Sequence, residues 1–586
     1  MRILIAACAA SVLVYAQSRD TIVVTGTYEP VPLNEVDRSL DVLTLNQKTV
    51  LLYNSVSDLF QLDSSLDLQQ RAPDGVQGDL SIRGSTFGQT LILLNGMRLN
   101  DAQSGHHNLD IPIPLEMISR VEVLLGSGST QYGTDASGGV VNVVTVRPET
   151  WEARVRAALG SFGTNQEGVI LGGTLGNYSE VLAVSRDFST GFRDDRDYRN
   201  LMMASSTMLR DRLGAASVML ALADRPFGAD QFYGDFNSWE RTKTWFVAGH
   251  QNIGDNTEAD FAFHRHSDLF VLFRNDPEYF TNRHVDETWE GALRRTDALP
   301  VGSLHYGAEF DADSIDSNNL GVHSRAREGV YLAYDVRAIK RFSLNVGLRD
   351  DIYDGFRNQL SPNISGAAWI TSSLKARAGA SRAFRLPSYT DLYYHDPGNV
   401  GSPNLKPEVA WNYEGGLDWR KNSWGASLTV FQRRDESVID FVQYNPNDIF
   451  RATNFQNLTF TGVEASVKVE PWRRQRFEVE YSGLRGNEQL QLAAISRYVF
   501  NYPVHSGVMA WEGELPYGFI GRTRIGVAQR TGRDAYAVWD ASFARATGHF
   551  RPFLQLTNIG DSIYQVLPGI AEPGRAVLGG VELAFR

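Results

Sequence analysis

From about Trp151 to the end of the chain, apolar and polar residues alternate with a period of two. Val463, Ala465, Val467 and Val469 share one face, and Glu464, Ser466, Lys468 and Glu470 the other. After the connector 471–475 the pattern resumes, with Phe477, Val479 and Tyr481 opposing Glu478, Glu480 and Ser482. Phe550 to Thr557 and Val577 to Phe585 repeat it. This periodicity predicts strands with one apolar and one polar side. A soluble sandwich would turn the apolar side to a core, and an outer-membrane barrel would turn it to lipid. Three features favour the barrel: alternation over more than 400 residues, aromatics such as Trp419, Tyr481 and Phe585 at segment ends, and an export signal. At about 10 residues per tilted strand, the span after position 150 accommodates about 22 strands. In lipid such a sheet must close on itself, and a closed barrel of that size needs a plug.

The segment Asp20–Pro148 has a different character. Short β runs (Thr21–Thr25, Leu91–Leu94, Arg120–Leu125, Val140–Val146), a helix around Ser57–Leu62 and Gly-rich turns predict a small α+β domain of the right size to fill the lumen. The expected division is therefore a signal peptide over 1–16, an N-terminal segment over 17–27, a plug over 28–148 and a barrel over 149–586. Arg2, the apolar stretch Ile3–Val14 and Val14-Tyr15-Ala16 before Gln17 supply the three parts of an export signal. Lipoprotein processing at Cys8 is the competing reading, disfavoured because the apolar run before it is very short. Cys8 is the single cysteine, so cleavage after Ala16 leaves neither disulfides nor thiolate chemistry.

Composition narrows the classes further. Among 586 residues the formal charge is −12, without Lys/Arg blocks, which disfavours nucleic acid as a partner. The apolar share of 42% excludes a disordered chain. Gly126-Ser127-Gly128 lacks the third glycine of a dinucleotide loop, and neither His-Glu-x-x-His nor Gly-x-Ser-x-Gly occurs. No enzyme is expected.

Several motifs carry a resemblance. These are Asp20-Thr21-Ile22-Val23-Val24-Thr25, Ile82-Arg83-Gly84, Leu94-Asn95-Gly96-Met97-Arg98, Arg120-Val121-Glu122-Val123, and Tyr132 through Thr145. In the second part, Phe384-Arg385-Leu386-Pro387, Asn404-Leu405-Lys406-Pro407-Glu408, Gly462-Val463-Glu464 and Pro573-Gly574-Arg575 follow in order. Over essentially its whole mature length the chain resembles the TonB-dependent outer-membrane receptors. The resemblance implies a monomeric barrel with an internal plug, embedded in outer-membrane lipid. It implies coupling to a TonB-type complex of the inner membrane, and uptake of a scarce large solute such as a ferric siderophore or a cobamide. A receptor or adhesin without transport, uptake of an oligosaccharide and a passive porin are the alternatives. Two departures stand out: Leu125-Gly126-Ser127 replaces Arg-Gly-Pro, and Phe585 is followed by Arg586.

The resemblance gives residues roles. Asp20, Thr21, Ile22, Val23, Val24 and Thr25 are the TonB box, β-branched and suited to adding as a strand to a partner's sheet edge. Arg83, Arg98, Arg120 and Glu122 are expected to make charged contacts between plug and barrel wall. His106, His107 and Asn108 lie in a polar segment, Asn100–Asp110, expected to be an apical loop facing ligand, and Tyr393 and Tyr394 add aromatic surface. Asp187, Asp194, Asp195, Asp197, Asp230 and Asp235 crowd one early-barrel region, which makes Ca2+ a candidate there, as in the family's cobalamin transporter. The interleaved Arg193, Arg196 and Arg199 make ordinary salt bridges the stronger expectation.

Overall fold

The computed structural model describes residues 21–337, 341–445, 447–472, 474–487 and 495–585. The signal segment, Asp20 and Arg586 lie outside the described residues. Among the described residues 22 long antiparallel strands form a closed barrel. Each pairs with its sequence neighbour, and the first, Glu152–Gly160, closes the ring against the last, Ala576–Phe585, with Ala153 opposite Phe585 and Gly160 opposite Leu578. Closure leaves no unpaired edge, as hydrocarbon requires.

The alternation resolves into an outer and an inner face. Val155, Leu171, Leu182, Val430, Val467, Val479 and Leu583 are exposed on the outside. The polar partners Arg154, Glu240, His266, Arg433 and Glu582 are buried in the lumen. Trp151, Trp419, Trp424, Trp472, Phe519 and Phe585 are exposed around one rim, where the interface between lipid and water favours aromatic rings. Tyr481 departs from the expectation of segment-end aromatics. It stands in mid-strand, opposite Ala465 and Gly507. Connections at the aromatic rim are tight turns such as 176–177, 300–301 and 422–423. The opposite mouth carries long loops over 386–407 and 558–575, the first containing a short helix, Tyr389–Tyr393. Short turns mark the periplasmic end and long loops the outer mouth.

Inside sits the α+β domain. Its five-stranded sheet runs in the order Leu40–Thr44, Ile118–Leu125, Gly139–Thr145, Thr90–Leu94, Met97–Arg98. Only Thr90–Leu94 and Gly139–Thr145 run parallel. Both are nearly continuous apolar runs, because both faces of the sheet are covered. Asn95 and Gly96, at φ 51° and 86°, make the primed turn that joins the last two strands. The helix expected around Ser57–Leu62 is a short one, Val56–Phe60, with Leu59 and Phe60 fully buried. Gly139 is obligatory, since a Cβ there would strike the Leu124 carbonyl across the sheet.

Candidate functional site

The lumen wall is polar, and the plug's loops expose backbone carbonyls to it. Wall side chains satisfy them. Gln555 Nε2 donates to the carbonyls of Leu51 and Tyr53 at 3.0 and 3.1 Å. Arg524 Nε donates to Gln61 O at 2.7 Å, and Lys375 Nζ to Val36 O at 2.7 Å. Buried carbonyls need such partners, so the wall doubles as the plug's solvent.

Arg83 is the strongest ionic tie. Its guanidinium donates to Glu464 through Nε (2.8 Å) and Nη2 (2.6 Å) and to Glu414 through Nη1 (2.8 Å). It also lies over the Phe431 ring at 4.3 Å. Arg83 and Gly84 adopt φ of 53° and 74°, a left-handed pair that costs a non-glycine residue energy and that these contacts hold in place. A second tie passes through Arg385, whose Nε donates to Glu408 at 2.8 Å while Gln89 of the plug donates to the same carboxylate at 2.9 Å.

The other three charges expected against the wall are arranged differently. Arg98 donates to Asp135 within the plug at 2.8 Å and reaches the wall only through its backbone N–H, 3.2 Å from Glu290. Arg120 donates to Glu122 at 2.7 Å. Glu122 is fully buried and turns to the N-terminal segment, accepting the N–H groups of Val24 at 3.0 Å and Thr25 at 2.7 Å. Asn142 completes this clasp, donating to Thr25 Oγ1 at 3.0 Å and accepting from Gly96 N at 3.0 Å. The segment 21–25 is therefore docked rather than free. Ile22–Val23 pairs with Val31–Pro32, Val23 and Thr25 are fully buried, and Ile22 and Val24 face outward. A cavity of about 630 Å³ opens beside it, lined by Thr21, Arg38, Asp41, Asp63, Lys468 and Glu480 among others.

At the outer mouth His106 and His107 point to different partners. His106 stacks on Phe87 at 4.3 Å, and its Nδ1 is 2.9 Å from Asp79, which also pairs with Arg71. Burial lowers its pKa, against the pull of Asp79. His107 is buried and faces the wall, with Nε2 3.6 Å from Asp268 and 4.0 Å from Glu240. Burial is the largest influence and opposes its charge, but the carboxylates of Asp268 and Asp101 together outweigh it and push its pKa up to about 9. Asn108 braces the loop, accepting Asp101 N at 3.0 Å. Tyr393 stacks on His323 at 3.7 Å, both half-buried, beside the buried ring of Tyr389.

Of the six early-barrel aspartates, Asp195 and Asp197 both pair with Arg274, and Asp230 pairs with Arg193 at 3.2 Å. Asp187 is within 3.5 Å of the Tyr198 hydroxyl, while Asp194 and Asp235 are exposed. Among the described residues, the acid and histidine groups close enough to share an ion include none of these six. They do include His266, Asp268 and Asp286, which are absent from the sequence expectations. His264, His266 and Asp268 alternate along Thr257–Val271, and His284 and Asp286 along Thr281–Leu299, with His266 opposite Asp286 and Asp268 opposite His284. The period of two placed them all on the lumen face, a signal present in the sequence.

Comparison with known proteins now decides the family. The family model described as TonB dependent receptor-like, beta-barrel matches residues 149–559, and that of the TonB-dependent Receptor Plug Domain matches 32–140. The chain is a member of the TonB-dependent receptors. As such it is a receptor of the bacterial outer membrane. It is 26% identical over 470 residues to the vitamin B12 transporter BtuB of Photobacterium profundum, covering 76% of this chain and 75% of that protein. With BtuB of Vibrio vulnificus strain CMCP6 it shares 27% identity over 460 residues, 73% of this chain and 72% of the relative. The fold also superposes on a point mutant of the ferric enterobactin receptor PfeA of Pseudomonas aeruginosa, with TM-score 0.78, 15% identity, and coverage of 96% and 100% of the two chains.

Proposed function

We propose that this receptor takes up a large, scarce metal chelate, of the cobamide class first and the ferric-siderophore class second, by energised displacement of its plug. The observation that carries the reading is the clasp at Val24 and Thr25. A strand-like segment sits at the periplasmic end with Ile22 and Val24 exposed, held to the plug sheet by the buried Glu122 carboxylate and the Asn142 amide. A partner that adds to this segment as a strand gains a mechanical handle on Glu122 and the central plug strand. The segment borders the largest described cavity between plug and wall, which makes that side the natural exit. Ligand at the outer mouth must favour the undocked segment over the docked one, a shift between two populations. Asn142 supplies a hydrogen-bonded link, since it touches both Thr25 and the Asn95-Gly96 turn that leads through Arg98 into the apical loop.

The preference for cobamides rests on the sequence relatives, which are named as vitamin B12 transporters. The half-buried Tyr393–His323 stack and the Phe87–His106 stack suit a large planar ligand. The test uses cells lacking other receptors for these solutes and expressing either the full chain or a deletion of 21–25. Labelled cobamide is expected to bind both cell types and to enter only the first. Entry in the deletion strain, or loss of surface binding with the deletion, would overturn the coupling role. Binding of ferric siderophores but not cobamide would reassign the cargo.

A further inference from the structure

We propose that Asp101, His266 and Asp286 form a binding site for a first-row divalent transition ion that ties the plug's apical loop to the barrel wall. Asp101 comes from the loop Asn100–Asp110, whereas His266 and Asp286 are opposed residues on adjacent wall strands. Side-chain exposures are 2%, 1% and 0%. His266 Nδ1 lies 2.7 Å from Asp101 Oδ2 and 3.5 Å from Asp286 Oδ1, and the three donor atoms all fall within 4.8 Å of one another. Donors around a tetrahedral ion at about 2.0–2.1 Å stand about 3.3 Å apart, so small adjustments suffice.

The decisive observation is what Asp286 lacks. Both its oxygens are buried without a hydrogen-bond partner, the nearer standing 3.5 Å from His266 Nδ1, while His266 Nδ1 and Asp101 Oδ2 face each other at 2.7 Å. Buried carboxylate oxygens left so are costly. Surrounding groups aim them inward. Asp101 Oδ1 accepts the N–H groups of Gln103 and Ser104 at 2.8 and 2.9 Å, which turns Oδ2 toward His266. His266 Nε2 is 3.3 Å from Asp110 Oδ2, the carboxylate partner that orients a metal-bound imidazole and leaves Nδ1 to the ion. One imidazole and two carboxylates suit Zn2+, Co2+ or Mn2+, whereas Ca2+ seeks six to eight oxygens.

The test uses the untagged, full chain in detergent, stripped with a chelator and titrated with Zn2+ by calorimetry, with bound metal counted by mass spectrometry. One equivalent is expected, undisplaced by equimolar Ca2+, with affinity falling at least about tenfold in Asp286→Asn and in His266→Gln and unchanged in Asp194→Asn. Co2+ added to the stripped wild type should give visible d–d absorption. Absence of that absorption overturns the site whether or not the variants fold. So does wild-type Zn2+ affinity in both variants once barrel folding is confirmed by heat-modifiable gel migration.

Discussion

The carboxylate of Glu122 accepts the backbone N–H of Thr25 at 2.7 Å, across 97 residues of sequence. Charge-assisted bonds of this kind are each worth about 1.5–3 kcal/mol, and Glu122 makes a second to Val24 N. Replacing Glu122 with Ala removes both while leaving Arg120 able to swing to solvent, since Arg120 is only partly buried. A spin label at Ile22, which already faces outward, should then sharpen from an immobilised to a mobile spectrum. An unchanged spectrum would mean that the Ile22–Val23 pairing alone holds the segment.

Arg83→Ala should loosen the plug as a whole. The change leaves the nearly buried Glu464 without Arg83, while Glu414 keeps Arg377 at 3.9 Å and two bonds from Ser39, and an uncompensated buried charge costs about 3–5 kcal/mol. Plug protection against protease in detergent should fall while the barrel stays heat-modifiable. Adding Glu464→Gln should restore part of the loss, because the stranded charge is then gone; no recovery would place the cost in the left-handed backbone at Arg83 instead.

Much of this architecture was legible from period-two patterning, because a membrane barrel converts side-chain alternation directly into lipid and lumen faces. Glu464 and Lys468 were separable from Val463 and Val467 by parity alone, and closure followed from the cost of open edges in lipid. The pairing of charges was not legible. Arg83 meets Glu464 across 381 residues, and nothing local in either strand names its partner. Glu122 shows the same limit: its neighbours suggest a wall contact, but it stands within the plug's own sheet, opposite Val42 and Asn142, and faces the docked segment. His264, His266 and Asp268 did carry a local signal, the shared parity of one strand. Their meaning depends on Asp101 arriving from a plug loop, which only the closed fold supplies.

The lipid face makes its own prediction. Val430 is 56% exposed and pairs with Val463 in the middle of the apolar band. Val430→Arg should destabilise the barrel by about 2–4 kcal/mol, the cost of a guanidinium near the bilayer midplane. Its sequence neighbour Thr429 is buried, facing Arg377 at 2.7 Å, so Thr429→Ser should be nearly silent. Urea unfolding of the two variants in lipid vesicles separates them; equal stability would mean that the two faces are not lipid and lumen.

Asp63 gives a pH dependence with a definite sign. Burial first, and then the charge of Asp41, pushes its carboxyl pKa up to about 7, against the opposing bonds from Ser65. In the unfolded chain the group titrates near 3.8. Between these values the folded protein holds a proton that the unfolded chain has released, so this group's contribution to stability falls as pH rises from about 4 through 7. Asp63→Asn keeps the oxygen that accepts from Ser65 N and Oγ and removes the titration. The variant should match wild type near pH 4 and exceed it above pH 7 by on the order of 1 kcal/mol, read as a higher thermal midpoint for loss of plug protection. Asp63 lines the cavity beside the N-terminal segment, so the same variant should also tighten the plug against release at alkaline pH. A variant stabilised equally at pH 4 and pH 8 would assign the gain to packing rather than to the buried charge.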